Sequence, residues 1–169
     1  PHSALLLGPV GAGKTHLATA LGHIAVRRRH SVHMARADKL LKRLKAARLD
    51  NTVEAEMRRL TLVDLLILDD FALQPLDTTQ TTDFYELIIE RHRKTATVLT
   101  SNREPSEWLA MMADPLLAQS AVDRLVSTAH ELVIEGDSYR RRQKPTHTTK
   151  TDANTGVSVD QQKRDHHAH

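Results

Sequence analysis

Apolar residues along the chain form two kinds of pattern, which alternate. Short continuous runs predict buried strands over 5–7, 31–35, 62–68, 95–100 and 129–134. Between them, apolar residues recur three and four positions apart and predict helices, the main ones from position 14 through 24 and over 37–47, 53–60, 77–94 and 116–127. Strands that alternate with helices are typical of an α/β fold with a central parallel sheet.

The predicted helices differ in their faces. The one from Ala37 has an apolar face and an opposite face with a lysine at every third position (Lys39, Lys42 and Lys45). That face is either ordinary solvated surface or a surface that follows a DNA backbone, and the pattern leaves both open. The helix over 53–60 mixes acids and bases and is expected at the surface. The helix over 77–94 carries Arg91 on the same side as its apolar residues, and Ser106 is the expected N-cap of a short helix.

The first strand leads into a glycine-rich turn that matches the phosphate-binding pattern G-x-x-x-x-G-K-[ST] in full. Glycines allow the positive φ angles and close backbone approach that a phosphate cradle needs. Lys14 would supply a charge for the phosphates, and the hydroxyl of Thr15 would bind Mg²⁺. The predicted nucleotide-binding residues are Gly8, Pro9, Val10, Gly11, Ala12, Gly13, Lys14, Thr15 and His16. A glycine-rich turn that binds nothing is the alternative, and the flanking strand and helix argue against it.

Carboxylates follow the most apolar of the predicted strands. In an α/β sheet, ligands bind at the carboxyl ends of the strands, so Asp69 is expected to hold Mg²⁺ together with Thr15. Asp70 would act as general base or orient the attacking water. The next strand ends at Ser101 and Asn102, and a polar side chain there could reach the γ-phosphate. Aspartates and Ser-Asn pairs also occur as ordinary turn residues.

The composition limits the classes of protein. The 169 residues suffice for one domain of ordinary size. Cysteine is absent, which excludes disulfides and thiolate metal sites. We find neither a membrane-spanning run nor a signal peptide and expect a soluble, intracellular protein. The net charge of +3 suits a polyanionic partner without requiring one.

The two ends of the chain differ from its middle. Pro1 stands where a methionine would be expected, shortly before a core strand, so we expect a fragment that lacks an upstream part. Residues 143–169 are polar and without apolar periodicity. We predict a disordered tail there, and an ATPase domain over residues 1–142.

Together, several segments resemble the IstB-like ATPases, AAA+ helper proteins of insertion-sequence transposition that are related to the helicase loader DnaC. The segments are Gly8–Thr15, the apolar run into Asp69-Asp70-Phe71, the Leu-Thr-Ser-Asn ending at Asn102, Asp-Arg-Leu-Val around Arg124, and Gly-x-Ser-x-Arg ending at Arg140. The resemblance covers about residues 1–142. It implies a three-layer P-loop fold of the AAA+ type with little or no helical lid.

The resemblance also implies roles. Asn102 would be the sensor 1 residue, Arg124 an arginine finger that reaches a neighbouring subunit's nucleotide, and Arg140 the sensor 2 arginine. The cofactors would be ATP and Mg²⁺, and the partners duplex DNA, an IstA-like transposase and further copies of the chain. Location would be the bacterial cytoplasm, in association with the nucleoid. From the residues alone, Arg124 could instead be a surface arginine paired with Asp123 or another acid, and Arg140 could belong to a basic run.

Alternatives to a transposition helper remain. Many AAA+ proteins carry Asp-Glu where this chain has Asp69-Asp70, so turnover could be slow, or the chain could be an ATP-switched DNA-binding module that hardly hydrolyses. A DnaC-like helicase loader is the nearest rival, because the features that distinguish it would lie in a missing N-terminal region. A small-molecule kinase would need an arginine-rich lid, of which the sequence gives no sign.

Overall fold

A computed structural model describes residues 2–135 of the chain. Five strands, β1 (Ser3–Leu7), β2 (Val32–Arg36), β3 (Leu65–Asp69), β4 (Ala96–Ser101) and β5 (Ala129–Val133), form one sheet in the order β2-β3-β4-β1-β5. All neighbouring strands are parallel. The predicted α/β fold with a parallel sheet is therefore confirmed.

Within the described part of the chain, six helices join the strands. They are α1 (Lys14–Arg27), α2 (Ala37–Ala47), α3 (Val53–Leu62), α4 (Thr78–Arg91), α5 (Pro105–Met111) and α6 (Pro115–Thr128). The apolar positions of α2 and α4 are buried as the sequence predicts, whereas α3 buries only Leu60 completely. None of the helices within residues 2–135 is long and apolar enough to cross a membrane.

The sheet separates two apolar clusters, which makes three layers. Alternate strand residues point to opposite faces: Leu6, Ile67 and Val98 pack with Ala18 of α1, whereas Leu5, Leu7, Leu66 and Leu68 pack with residues of α2 to α6. One face thus carries a single helix and the other carries five. Residues 2–135 include no separate helical lid.

Leucine dominates the core, and three aromatic rings lie within it. The ring of Phe71 stacks on Phe84 with centroids 4.5 Å apart and meets the edge of Trp108 at 5.1 Å. Trp108 also donates its indole N–H to the hydroxyl of Ser101 at 3.1 Å. These rings therefore fix the chain directly behind the ends of β3 and β4.

Arg91 is a buried cation at the end of α4, 1% exposed. Its guanidinium donates to the carbonyls of Leu60 and Val63, each at 2.7 Å, and to that of Ala96 at 2.6 Å. It also donates to the hydroxyl of Thr97 at 3.1 Å. Burial lowers the pKa of Arg91 to about 10, so it stays charged at neutral pH. One side chain thus satisfies the last carbonyls of α3 and ties them to β4.

Two predictions about element boundaries are wrong. The strand predicted from position 62 begins at Leu65, because Leu62 still belongs to α3 and the apolar run crosses the end of that helix. The N-cap of α5 is Glu104 rather than Ser106, since Pro105 takes the first helical position, where a missing N–H costs nothing. The predicted domain end at 142 and the tail over 143–169 lie outside the described residues.

Candidate nucleotide site at the ends of the strands

The turn between β1 and α1 has the backbone that its glycines predict. Gly8, Gly11 and Gly13 all have positive φ, at 154°, 78° and 97°. Gly8 also passes close to the chain beyond β5: an added Cβ would lie 2.3 Å from the carbonyl oxygen of Ile134. Within residues 2–135, no side chain caps the N-terminus of α1, in contrast to α4 and α6, which Asp77 and Asp114 cap. The first-turn N–H groups of α1 lack intrahelical acceptors and point towards the turn.

Lys14 is the first residue of α1, directly after the turn, and is 5% exposed. Its ammonium donates to the carbonyl oxygens of Gly8 and Pro9, both at 2.7 Å. Burial lowers the pKa of Lys14, while the charges of Asp70 and Asp69 oppose that shift. The ammonium therefore lies among the turn carbonyls, with two carboxylates near enough to affect its pKa.

Thr15 and Asp69 meet at the end of β3. The Thr15 hydroxyl lies 3.0 and 3.1 Å from the two carboxylate oxygens of Asp69. Asp69 is 6% exposed, and its Oδ1 also accepts a hydrogen bond from the Thr100 hydroxyl at 2.5 Å. A hydroxyl and a carboxylate are oxygen donors of the kind that Mg²⁺ prefers. The two residues predicted to hold a metal ion are thus in direct contact.

Asp70 follows β3 in the left-handed region, with φ of 54°. Its N–H donates to the hydroxyl of Thr100 at 2.9 Å. Burial and the neighbouring charge of Asp69 raise the pKa of Asp70, against the opposing effect of Arg36 and Lys14. A carboxyl with a raised pKa in a cleft fits a proton acceptor better than an ordinary surface aspartate does.

A cleft of about 320 Å³ brings these residues together. Most predicted nucleotide and catalytic residues line it: Val10, Gly11, Gly13, Lys14, Thr15, His16, Asp70 and Asn102, along with Leu73. Gly8, Pro9 and Ala12 belong to the turn without lining the cleft. Asn102 reaches it because β4 is the neighbour of both β1 and β3. Asp70, Leu73 and Asn102, which are far from the turn in the sequence, therefore share one cavity with it.

Arg124 lies elsewhere. It is on α6 beside Ser3 and Thr97, which stand at the starts of β1 and β4, whereas the cleft lies at the strand ends. A five-residue strand is about 16 Å long, so this side chain does not reach the cleft of its own chain. Arg124 donates to the carbonyl and the hydroxyl of Ser120, and Asp123 accepts from Gln119 instead. Arg140 lies outside the described residues.

Sequence reasoning missed Thr100, which is fully buried between the two aspartates. Its signal was present: a hydroxyl one residue before the end of a strand. Only the register, which pairs Leu68 with Leu99 and so sets Thr100 beside Asp69, makes that hydroxyl informative. Leu73, which also lines the cleft, carried no signal in the sequence.

A family model described as "IstB-like ATP binding protein" matches residues 2–147. Two curated proteins show how similar its members are to this chain. One, named as an ATP-binding protein in an insertion sequence of Mycobacterium tuberculosis, is 40% identical over 148 residues, which is 87% of this chain and 59% of that protein. The other, named as an ATP-binding protein of insertion sequence IS21 from Pseudomonas aeruginosa, is 36% identical over 94% of this chain and 60% of its own length. The chain thus spans about 60% of these relatives.

Solved structures share the fold. The DnaC helicase loader superposes with a TM-score of 0.70 at 21% identity, over 79% of this chain and 78% of that one. DnaA from Aquifex aeolicus, bound to AMPPCP, gives 0.67 at 25% identity, over 82% of this chain and 42% of that one. The sheet and its helices are those of a P-loop NTPase of the AAA+ type.

Proposed function

The chain belongs to the IstB-like ATP-binding proteins, and from that premise we propose that it hydrolyses ATP as a helper of DNA transposition. In this proposal the protein assembles on duplex DNA with ATP and cooperates with an IstA-like transposase. The observation that carries the enzymatic part is the cleft, where Lys14, Asp70 and Asn102 line one cavity. The family and the insertion-sequence relatives support the role in transposition.

The residues of the cleft fit ATP and Mg²⁺. Three positive-φ glycines and the uncapped start of α1 form a cradle for phosphate oxygens. Thr15 and Asp69, whose oxygens are in contact, would hold the magnesium ion, which would neutralise phosphate charge when bound. Lys14 would exchange its carbonyl contacts for phosphate oxygens.

The remaining residues would act on water and on assembly. Asp70 would orient the attacking water and accept its proton, and Asn102 would assist from the end of β4. Arg124 lies at the opposite end of the sheet, so it would act on the nucleotide of a neighbouring subunit. A site completed only by a neighbour links ATP binding to assembly. Arg140 is proposed as a further contact to the nucleotide, on the resemblance alone.

Nucleotide binding and turnover test the enzymatic part. Lys14→Ala should abolish binding of a fluorescent ATP analogue. Arg124→Ala should leave that binding unchanged and reduce phosphate release in the presence of duplex DNA by at least about 1000-fold, the size of arginine-finger effects. Lys94→Ala, which removes an exposed cation, serves as the control. Phosphate release by Arg124→Ala at the parent's rate would contradict a finger role.

Mass measurements test the assembly. The protein should grow into an oligomer with ATP, Mg²⁺ and duplex DNA, remain smaller without nucleotide, and fail to grow as Arg124→Ala. Assembly without phosphate release above background would favour the second candidate, an ATP-switched DNA-binding module. The observation behind that candidate is Asp70, which is one methylene shorter than a glutamate at this position.

A helicase-loading role is less well supported. The similarity to DnaC at 21% identity shows a shared fold and carries no function. Addition of an IstA-like transposase to the DNA-bound protein should raise phosphate release or stabilise the oligomer. A response to a replicative helicase and none to a transposase would overturn the transposition proposal.

A further inference from the structure

A second cleft, of about 220 Å³, lies at the edge of the sheet. It is bounded by β2, α2 and α3 and is distinct from the nucleotide cleft, with which it shares no lining residue. Its floor is apolar and its rim carries four cations: Arg36, Lys39, Arg43 and Arg59. We call it the basic cleft.

The charges of the basic cleft do not balance. Among the described residues that line the cleft, Glu56 is the one carboxylate, and it is shared by Arg59 at 2.8 Å and Arg43 at 3.7 Å. Arg36 has a carboxylate partner in Asp38 at 3.2 Å, outside the cleft. Four cations thus face two carboxylates, which leaves an excess of two positive charges.

His33 lines the basic cleft, and its pKa depends on the charges around it. It is half-buried on β2, and burial together with the charges of Arg59 and Arg43 lowers its pKa, with Glu56 opposing. The imidazole is therefore neutral at physiological pH and lies among cations whose charge is only partly compensated. An anion bound among those cations would relieve the field and raise the pKa of His33.

The layout of the cations indicates the kind of anion. Arg36, Lys39 and Arg43 follow one another along the start and the exposed face of α2, and seven residues of helix cover about 10 Å. Successive phosphates on one strand of B-DNA advance about 3.4 Å along the axis, so the row matches several phosphates better than one. Among residues 2–135, phenylalanine, tyrosine and tryptophan are absent from the lining, so the large aromatic rings on which the bases of a single strand commonly stack are missing there.

We propose that the basic cleft binds the phosphodiester backbone of duplex DNA, without reading its sequence. The proposal deepens the function proposed above, because the choice of DNA as the ligand rests on that function. It also distinguishes Lys39 from the other two lysines of the row on α2. Lys39 contributes to the cleft. Lys42 and Lys45 line a different cavity, and Lys45 is paired with Asp77 at 2.5 Å. Because Arg36 ends β2 opposite Asp69, bound DNA would lie beside the nucleotide site.

The test measures the affinity for a fluorescent duplex of 20 base pairs as a function of salt concentration. Each phosphate contact contributes about 0.9 to the slope of log K against log salt. The double variant K39Q/R43Q should lower the slope by about 1.8 and weaken binding roughly 50-fold at 0.1 M salt. The control R28Q/K94Q removes the same charge from exposed positions away from the cleft and should leave the slope within about 0.5 of the parent's.

Two further measurements distinguish the loss of a DNA contact from the unfolding of a variant. Glu56→Gln removes the one carboxylate of the lining and should strengthen DNA binding, which a damaged fold would not do. In the parent protein, NMR titration should show the pKa of His33 rising when DNA is added. A parent-like slope in K39Q/R43Q, or weaker binding in Glu56→Gln, would overturn the proposal.

Nucleotide binding is measured on the same samples. A failure of the ATPase proposal can then be distinguished from a failure of the proposal that the basic cleft binds DNA. An ATP analogue that does not bind, alongside a reduced slope in K39Q/R43Q, would overturn the ATPase proposal and support the basic cleft. An analogue that binds to a protein without affinity for DNA would overturn the basic cleft. Binding of the cleft to anionic lipid vesicles or a phosphopeptide in preference to DNA would overturn it as well.

Discussion

The hydroxyl of Thr100 lies 2.5 Å from Oδ1 of Asp69 and accepts a hydrogen bond from the N–H of Asp70. One fully buried side chain on β4 therefore contacts both aspartates at the end of β3. It orients the carboxylate that meets Thr15, and it holds the backbone of Asp70 in its left-handed conformation.

Thr100→Val keeps the shape of the side chain but removes the hydroxyl that bonds to the Asp69 carboxylate and the Asp70 N–H. The loss of the hydroxyl leaves the Asp70 N–H without its acceptor, which costs about 1–3 kcal/mol of unfolding free energy. Asp69 also loses its donor, so we expect a higher Mg²⁺ concentration to be needed for tight binding of an ATP analogue. Urea denaturation and a magnesium titration measure the two effects.

Thr100→Ser is the matched control, because it retains the hydroxyl. Its magnesium requirement should stay near that of the parent, with a small loss of stability from the missing methyl group. Equal magnesium requirements in the valine and serine variants would show that the hydroxyl does not position Asp69.

Asp70→Asn should stabilise the protein at pH 7. The folded chain raises the pKa of Asp70 above its ordinary 3.8, so ionisation of this group favours the unfolded chain as pH rises. Asparagine removes that charge and tolerates positive φ. The gain in Tm over the parent should shrink as pH falls towards 3.8, and thermal melts at several pH values measure it.

The same variant tests the proposed water-orienting role. Asp70→Asn should bind an ATP analogue and release no phosphate above background. A stability gain that is constant across pH would contradict the raised pKa, and parent-like phosphate release would contradict the role of the carboxylate.

Gly8→Ala should be more harmful than Gly13→Ala. At Gly8 the new Cβ would lie 2.3 Å from the Ile134 carbonyl oxygen, and the chain there would have to move. Such overpacking costs about 1–3 kcal/mol. At Gly13 a Cβ meets nothing within 4 Å, and only the strain of φ at 97° remains, about 1–2 kcal/mol. Thermal melts rank the two, and the reverse order would contradict the close approach.

The ion pair of Arg48 and Asp83 tests how much stability is lost when a buried charge loses its partner. Asp83 is fully buried and bonded to Arg48, and burial raises the pKa of its carboxyl. Arg48→Met should cost about 2–4 kcal/mol at pH 7, because a carboxylate is left buried without its cation. The cost should fall as pH drops towards the ordinary aspartate value of 3.8, because protonation of Asp83 removes the buried charge. The added Asp83→Asn should restore part of the loss.

Lys45→Met is the comparison for that pair. Lys45 and Asp77 are also in contact, but both side chains are about half exposed, at 53% and 44%. Removal of an exposed partner costs about 0–1 kcal/mol. Similar losses for Lys45→Met and Arg48→Met would show that burial of Asp83 does not govern the cost.

The parts of the fold that the sequence predicted were those with local causes. The glycine turn, the apolar run before Asp69 and the faces of α2 and α4 follow from residues close together in the chain. The end of α3 did not, because an apolar run cannot distinguish the last turn of a helix from the first residues of a strand. Arg91, whose contacts span 37 positions from Leu60 to Thr97, decides that boundary.

The residues of the site also divide into those that nearby sequence predicted and those that only the folded structure reveals. Motif spacing placed Lys14, Thr15, Asp69, Asp70 and Asn102, and the structure brings all of them to the same strand ends. Thr100 needed the register between β3 and β4, and the basic cleft needed the packing of α3 against α2. A periodic row of lysines could not show which of its members would share a cavity with arginines from other elements.

The contacts of Arg91 affect how α3 and α4 unfold locally. Helix α3 buries only Leu60 completely, and the guanidinium of Arg91 adds hydrogen bonds from α4 to the carbonyls at the end of α3. In native-state hydrogen exchange, α3 and α4 should therefore exchange as one cooperative unit. Without Arg91 they would become two, and the wall of the basic cleft that carries Arg59 would open on its own.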